Sequence, residues 1–303
     1  MFLECKQDVM AEAQIVDTRI TVGDYRTRVL EVSGHGPLVL LLHGFADSAD
    51  TWRPLLLELA ARGQRAAAVD LPGFGAASGV GRTDLLDEYD GFITAALQVL
   101  HPSNGPADTG SAADPIPAVV VGNSMGATLA LRAGTDRSDV GAVVALAPAG
   151  LGFHPVLHTM SGALDRLLPA LRVAYRVPYP AIYVQTLIAA YYRVRLAPGL
   201  CNAWRFGSHY DGMRDFRRIG VIGRRLMAEV QAGCLDFSTM TRPIILVWGS
   251  ADPVCDVGGA DALIDAVTDS RLLVVPGSGH LPQIEAPDVV ADAIGDAVDL
   301  ARG

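Results

Sequence analysis

The chain has 303 residues, half of them hydrophobic, and its 33 acidic residues outnumber 24 lysines and arginines to give a formal net charge of −9. That length and apolar content suffice for a large α/β domain with a sizeable core. The negative charge argues against a general nucleic-acid-binding protein, because phosphate contacts need a basic face.

The cysteine pattern and the apolar runs indicate where the protein resides. The chain forms no Cys-x-x-Cys pair, so reduced thiols in a cytoplasmic protein are expected, rather than disulfides or a zinc site. Residues 1–10 lack a secretory signal pattern, and the longest apolar runs are too short to span a bilayer. The sequence therefore predicts no metal, no cofactor and no integral membrane segment.

The first half of the chain alternates predicted strands with predicted helices. Residues 12–22 and 25–33 alternate apolar and polar side chains, which predicts two antiparallel strands at a sheet edge. Short, wholly apolar runs predict strands buried on both faces. These strands lie at 37–42, 65–70, 117–122 and 140–146, with helices at 52–62, at 83–101 and ending near 133. Asp50 or Thr51 is the predicted cap of the first helix.

This alternation stops at about residue 151 and resumes after Pro243. The segment 151–237, here called the cap segment, is broken by prolines and rich in tyrosines, so it is predicted to form a separate helical unit. Beyond it, strands are predicted at 244–248 and 271–275 and helices at 258–267 and 288–301. Residues 1–150 and 238–303 are predicted to form one α/β core with a mostly parallel sheet, whose catalytic loops lie at the carboxyl ends of the strands.

The sequence Gly122-Asn123-Ser124-Met125-Gly126 stands between an apolar strand and a helix. Its Gly-x-Ser-x-Gly spacing is typical of a strained strand-to-helix turn, in which glycines on either side relieve backbone clashes. Such a turn holds the Ser124 hydroxyl clear of the backbone at a helix amino terminus, where developing negative charge is favoured. The alternative is a plain turn with a capping serine. Asn123 could line a pocket or stabilise the turn.

Three residues with the chemistry of nucleophilic catalysis follow predicted strands. Ser124, Asp252 and His280 come at the ends of different strands, so the topology should bring them to one sheet edge. His280 would accept the proton of the Ser124 hydroxyl, and Asp252 would hold the imidazole in the right tautomer. Asp256 is a rival for the acid, and His280 could instead cap a helix or pack in the core.

Two backbone amides are the expected donors to an oxyanion. One is the N–H of Met125, directly after the serine, and the other is the N–H of Phe45, after His43-Gly44. His43 itself is expected to bond the backbone of its loop, rather than act as a second base.

The chain resembles α/β hydrolases in five motifs, which occur in the order of that family. They are His43-Gly44-Phe45, Asp70-Leu71-Pro72-Gly73-Phe74-Gly75, Gly122-Asn123-Ser124-Met125-Gly126, Gly249-Ser250-Ala251-Asp252 and Gly279-His280. The resemblance covers roughly 25–150 and 242–303. It implies the α/β-hydrolase fold, a mostly parallel eight-stranded sheet with a helical cap inserted after strand six. A serine nucleophile argues against epoxide hydrolases and haloalkane dehalogenases, which carry aspartate there.

The resemblance implies a serine hydrolase of the esterase or lipase type, which cleaves carboxylic esters with an apolar acyl or alcohol part. A second hypothesis is a C–C bond hydrolase of the meta-cleavage type, which shares Gly-Asn-Ser-Met-Gly. Those enzymes usually have tryptophan after the catalytic histidine and a Ser-Gly-Pro-rich oxyanion loop, whereas this chain has Leu281 and Gly44-Phe45-Ala46-Asp47. A third hypothesis is a hydrolase-fold sensor that binds a small ligand and engages another protein.

The cap segment is basic, with eleven arginines against five acidic residues. It could steer anionic substrates or contact an anionic surface. Alternatively, its arginines could simply lie on solvent-exposed helix faces. Its tyrosine-bearing part, 175–192, is predicted to wall an apolar acyl pocket, with Tyr183 and Tyr191 as substrate contacts. The same aromatics could instead pack the cap segment against the sheet.

Overall fold

Eight strands form one sheet in the computed structural model, which describes residues 15–81, 84–101, 116–135, 137–153 and 216–302. The strands are β1 Val16–Val22, β2 Tyr25–Val32, β3 His35–Leu42, β4 Gln64–Val69, β5 Ala118–Asn123, β6 Val140–Leu146, β7 Ile244–Gly249 and β8 Ser270–Val275. Their order is β1-β2-β4-β3-β5-β6-β7-β8. β2 runs antiparallel to both of its neighbours, and the pairings from β4 across to β8 are parallel. The predicted eight-stranded, mostly parallel sheet with an antiparallel edge is therefore confirmed.

The central strands are buried because their sequences are continuous apolar runs. Every residue of β5, β6 and β7 is buried, and β6 has the predicted bounds. Complete burial of a valine or leucine side chain contributes about 1.5–3 kcal/mol. A parallel sheet of this kind needs cover on both faces, which is why these strands show no polar alternation.

Helices on both faces supply that cover. The described α-helices are α1 Arg53–Ala61, α2 Leu85–Leu100, α3 Met125–Ala133, α4 Phe216–Gln231, α5 Asp261–Ala266, α6 Pro282–Glu285 and α7 Pro287–Ala301. Leu56 of α1 and Ile294 of α7 share one core layer with side chains of the sheet. Phe92 of α2 and Leu129 of α3 belong to the other layer. None of the helices in the described ranges combines the length and apolar character needed to cross a bilayer.

The start of the first helix differs from the prediction. Residues Ala49–Trp52 form a 3₁₀ turn, and α1 begins only at Arg53, so neither Asp50 nor Thr51 caps it. The Asp50 carboxylate instead accepts hydrogen bonds from Arg28 and Arg53. A local capping pattern cannot reveal this, because Arg28 lies on β2, far away in the sequence.

Two helices near the carboxyl terminus also differ. The predicted helix 258–267 is a 3₁₀ turn, Val257–Ala260, followed by the short α5, because consecutive glycines disfavour an α-helical start. The sequence also gave no indication of α6, a single turn directly after the loop that carries His280.

Most of the cap segment lies outside the described residues, including Tyr183, Tyr191 and the rest of 154–215. The described part contains α4, which packs against the core through buried Ile222. The Glu229 carboxylate of α4 accepts hydrogen bonds of 2.8 Å from the backbone N–H groups of both Leu85 and Leu86, at the amino terminus of α2. A carboxylate is favourable at that end of a helix dipole, so this contact fastens α4 to the core. The division into core and cap stays a prediction.

Candidate active site

Ser124 occupies a strained turn between β5 and α3. Its φ of 54° and ψ of −111° lie in the positive-φ region that side chains rarely adopt. A Cβ at Gly122 would lie 2.0 Å from the Gly126 carbonyl oxygen, and one at Gly126 would lie 2.1 Å from the Leu42 oxygen. Only glycine fits at either position, so the sequence spacing has the steric cause expected of it. Backbone strain of this kind is typical of functional sites.

Asp252 and His280 form a buried pair at the ends of β7 and β8. The His280 Nδ1 lies 2.8 Å from Asp252 Oδ2, and the two side chains are 7% and 2% exposed. The other oxygen of Asp252 accepts from the backbone N–H groups of Val254 and Cys255, at 2.7 and 3.1 Å. These bonds orient the carboxylate toward the imidazole. In the neutral imidazole, this contact places the proton on Nδ1 and makes Nε2 the acceptor.

The rival acid, Asp256, lies elsewhere. It is exposed, and its carboxylate accepts from the backbone N–H of Gly258 at 3.0 Å, as the cap of the 3₁₀ turn Val257–Ala260. Of the two aspartates, Asp252 is the one whose carboxylate is hydrogen-bonded to His280.

The Ser124 turn is in direct contact with the loops on either side of it. The Asn123 side chain donates from Nδ2 to the His280 carbonyl oxygen at 3.0 Å, and Asn123 is fully buried. On the other side, a Cβ at Gly44 would lie 3.4 Å from the Ser124 Cβ. The structure thus brings together the serine turn, the His280 loop and the loop after β3. The sequence alone leaves the role of Asn123 open and does not predict its bond to His280.

His43 orients the peptide that contains the Phe45 amide. Its Nε2 accepts from the Leu71 backbone N–H at 2.9 Å, so its proton is on Nδ1, which donates to the Gly44 carbonyl oxygen at 2.7 Å. That carbonyl and the Phe45 N–H belong to one planar peptide and point in opposite directions. Within the described part of the chain, neither the Phe45 nor the Met125 amide donates to another protein backbone oxygen.

A buried ionic network supports the loop after β3. The Asp70 carboxylate is fully buried and accepts from the backbone N–H groups of Ala49 and Ala76, each at 2.7 Å, and from Arg28 Nε at 3.1 Å. Arg28 also bonds Asp50. Burial alone would raise the pKa of the Asp50 carboxyl, but the hydrogen bonds and charges of Arg28 and Arg53 outweigh it and lower the pKa.

Asp50→Asn is expected to destabilise the protein by about 1–3 kcal/mol at neutral pH, because it leaves Arg28 with one charged partner fewer. A carboxyl with a lowered pKa stabilises the fold above its unfolded-state pKa of about 3.9, and that contribution is lost as the pH falls through the folded-state pKa. The gap in unfolding free energy between wild type and variant should therefore close below about pH 4. Urea unfolding at several pH values measures it.

Glu58 of α1, whose side chain is 35% exposed and pairs with Arg62 just after the helix, provides the control. Glu58→Gln should change the unfolding free energy by less than about 0.5 kcal/mol. A gap for Asp50→Asn that is the same at pH 7 and at acid pH would contradict an ionic role for Asp50.

An apolar wall adjoins the Phe45 amide. The Phe45 ring packs edge-to-face on Phe74, with centroids 5.5 Å apart. A Cβ at Gly223 of α4 would lie 2.9 Å from the Phe45 ring, so the helix and the ring are in close contact. This part of α4 was not foreseen as a neighbour of the site, since the sequence prediction placed the pocket wall at Tyr183 and Tyr191.

Comparisons with known proteins agree with this fold. A sequence model of the alpha/beta hydrolase family matches residues 39–293. The monoacylglycerol lipase of Bos taurus is 26% identical over 275 residues, which cover 87% of this chain and 75% of the lipase. The 2-hydroxy-6-oxo-6-(2'-aminophenyl)hexa-2,4-dienoic acid hydrolase of Metapseudomonas resinovorans is 25% identical over 299 residues, which cover 93% of this chain and 91% of that one.

A solved structure shows the same architecture. The 2-hydroxy-6-oxo-6-phenylhexa-2,4-dienoate hydrolase from Rhodococcus sp. strain RHA1 superposes with a TM-score of 0.72 at 18% identity, covering 94% of this chain and 99% of that one. The monoacylglycerol lipase and the hexadienoic acid hydrolase are hydrolytic enzymes by name, which supports an enzyme of the hydrolase class. Since the family match spans most of its length, the chain belongs to the alpha/beta hydrolase family.

Proposed function

We propose that the protein is a serine hydrolase that cleaves carboxylic esters with an apolar acyl or alcohol part. The observation that carries the proposal is the buried Asp252–His280 hydrogen bond, in a loop that is bonded to the residue before Ser124. A serine hydroxyl is a weak nucleophile at neutral pH and needs a base within reach. An imidazole whose Nδ1 is held by a carboxylate presents Nε2 for that purpose.

In the acylation step, His280 Nε2 accepts the Ser124 proton as Oγ attacks the ester carbonyl carbon. The carbonyl oxygen becomes an oxyanion, and the N–H groups of Phe45 and Met125 would stabilise it. Collapse of the tetrahedral intermediate breaks the ester C–O bond, and the leaving alcohol takes the proton from His280. The carboxylate of Asp252 offsets the charge of the imidazolium formed between these events.

In the deacylation step, His280 removes a proton from water, which attacks the acyl-enzyme. The second tetrahedral intermediate releases the acid and returns the proton to Ser124 Oγ. Met125 begins α3, so its amide lies at the positive end of that helix dipole. The apolar wall formed by Phe45 and Phe74 supports an apolar substrate part.

The similarity to a monoacylglycerol lipase supports an ester substrate. The similarity to a hexadienoic acid hydrolase favours the second candidate, a C–C bond hydrolase of the meta-cleavage type. The chain differs from the usual meta-cleavage hydrolase pattern at Leu281 and in the loop Gly44-Phe45-Ala46-Asp47. These differences favour an ester substrate. The third candidate, a ligand sensor, would use the same residues without steady turnover.

A series of p-nitrophenyl esters of graded chain length, run beside a vinylogous diketone, tests the proposal. Each methylene that the pocket buries is worth up to about 0.8 kcal/mol, so kcat/KM should rise by up to about fourfold per carbon until the pocket is full. If the walls include the proposed Tyr183 and Tyr191, replacing either with alanine should flatten this rise and leave acetate ester turnover nearly intact.

The alternatives give different results in the same assay. Conversion of the diketone without ester turnover would favour the C–C hydrolase. A single turnover per protein molecule would favour the sensor. An equal loss with acetate and with longer esters would show that the tyrosines only pack the cap segment.

A further inference from the structure

Two side chains from different elements bond the backbone around His280. The Glu285 carboxylate of α6 accepts from the Gly279 N–H, with 2.9 Å between Oε2 and the nitrogen. The Asn123 side chain donates to the His280 carbonyl oxygen at 3.0 Å. The Gly279 N–H belongs to the Ser278–Gly279 peptide unit and the His280 carbonyl to the His280–Leu281 unit, so side chains hold the backbone before and after the histidine. The imidazole itself is held separately, by Asp252.

Glu285 is poorly placed for stability alone. Burial raises the pKa of its carboxyl, against the lowering effect of the Gly279 and Leu281 amides. Within the described residues, its buried Oε1 has no hydrogen-bond partner. A half-buried carboxylate whose buried oxygen is unpartnered opposes folding, because water no longer solvates that oxygen. Such a group is more informative about function than about the core.

The surroundings of Glu285 contain two titratable groups that act on it. They are Asp252, from the loop after β7, and His280, from the loop after β8. The turn Ala49–Trp52, α1 and α7 also contact α6. Asp50 pairs there with Arg53, and Glu58 and Asp292 pair with Arg62. Farther along α7, Asp296 pairs with Arg271 and Asp299 with Arg302, and the exposed Asp288 adds a negative charge at the start of α7. A change of charge at Glu285 should therefore act mainly on the Asp252–His280 pair.

We propose that Glu285 and Asn123 are positioning residues that keep His280 Nε2 in line with Ser124 Oγ while the imidazole gains and loses its proton. The proposal rests on the proposed serine hydrolase function. Misplacing a reacting group by about 1 Å can reduce the rate by about 10²-fold, so the His280 backbone needs a fixed position. The Glu285 carboxylate also interacts electrostatically with the His280 imidazole.

Glu285→Gln is the main test. The amide keeps the size of the side chain but loses its charge and presents an N–H₂ group in place of one acceptor. We expect kcat for the preferred ester to fall about 10- to 100-fold with KM within about twofold. The acid limb of the pH profile of kcat/KM should move to lower pH, because the imidazolium loses a neighbouring negative charge. The thermal midpoint should stay equal or rise.

Asn123→Ala provides a contrast. It removes the bond to the His280 carbonyl without removing a charge. We expect kcat to fall about 10-fold while the acid limb of the pH profile of kcat/KM stays at its wild-type position. Glu285→Asp retains the negative charge on a side chain that is one methylene shorter. Compared with Glu285→Gln, it should bring the acid limb closer to its wild-type position than it brings kcat to the wild-type value.

Glu88→Gln is the matched control. Glu88 of α2 is a glutamate with a side chain 5% exposed, and like Glu285 it accepts from the backbone N–H of a loop glycine, here Gly81. It also bonds the Tyr25 hydroxyl of β2 and lies 4.0 Å from Arg225 of α4. We expect this variant to lose stability and to keep the wild-type kcat and pH profile.

The outcomes separate the two proposals. If wild type hydrolyses esters and Glu285→Gln keeps its kcat and pH profile, the positioning role is wrong and the hydrolase function stands. A fall in kcat with an equal fall in stability and an unmoved acid limb would make Glu285 merely structural. If wild type hydrolyses no ester, NMR spectra of the His280 imidazole without substrate still decide, since Glu285→Gln should shift its ring resonances and Glu88→Gln should leave them unchanged.

Discussion

Ser124→Ala is expected to lower kcat by about 10⁴-fold or more while the fold stays intact. The alanine keeps the Cβ and the backbone conformation of the turn, so the positive φ of this position is as strained as before and the packing around Gly122 and Gly126 is unchanged. What is lost is the only oxygen of this turn that could attack an ester. Turnover of the preferred ester, with far-ultraviolet circular dichroism on the same samples, measures the two effects separately.

A fluorophosphonate probe makes the same point without turnover. Wild type should be labelled at Ser124, and the Ser124→Ala variant should not be labelled at all. Ser238→Ala is the control, because Ser238 is an exposed residue of a 3₁₀ turn and bonds only Asp236 within the described residues. Near-normal activity of Ser124→Ala with an unchanged spectrum would remove Ser124 from the mechanism.

The sheet could be predicted well because its signals are local. A continuous apolar run predicts a buried strand wherever it occurs, and β6 has the predicted bounds while β5 is shifted by a single residue. The order of strands and helices then limits the topology, since parallel strands require helical crossovers. The sequence also placed Ser124, Asp252 and His280 at strand ends. Their positions follow from the fold, whereas their roles remain predictions.

The contacts around the site could not be predicted, because they depend on side chains that reach between distant loops. The Asn123 side chain donates to the carbonyl of His280, which lies 157 residues later in the sequence. No rule based on sequence spacing predicts such a pair. Asp50 was expected at a helix cap, but Arg28 and Arg53 provide stronger partners for its carboxylate. Glu285 belongs to a one-turn helix that is too short for a periodic signal.

His280→Ala is expected to reduce kcat about as much as Ser124→Ala, because the serine hydroxyl is too weak a nucleophile without a general base. Residues that act as one unit are not additive, so combining the two changes should cost little more than either alone. If the losses multiply, the two residues act independently and the proposed proton transfer between them is wrong.

The acid is tested by Asp252→Asn, which should reduce kcat by up to about 10⁴-fold and somewhat less than His280→Ala. The amide oxygen can still accept from the Val254 and Cys255 backbone, but the group facing Nδ1 no longer carries the charge that fixes the tautomer and offsets the imidazolium. Asp256→Asn is the matched control, since this exposed carboxylate bonds only the Gly258 N–H within the described residues. It should change kcat by less than about twofold. A larger loss for Asp256→Asn than for Asp252→Asn would mean that the acid has been assigned to the wrong aspartate, despite the 2.8 Å bond between Asp252 and His280.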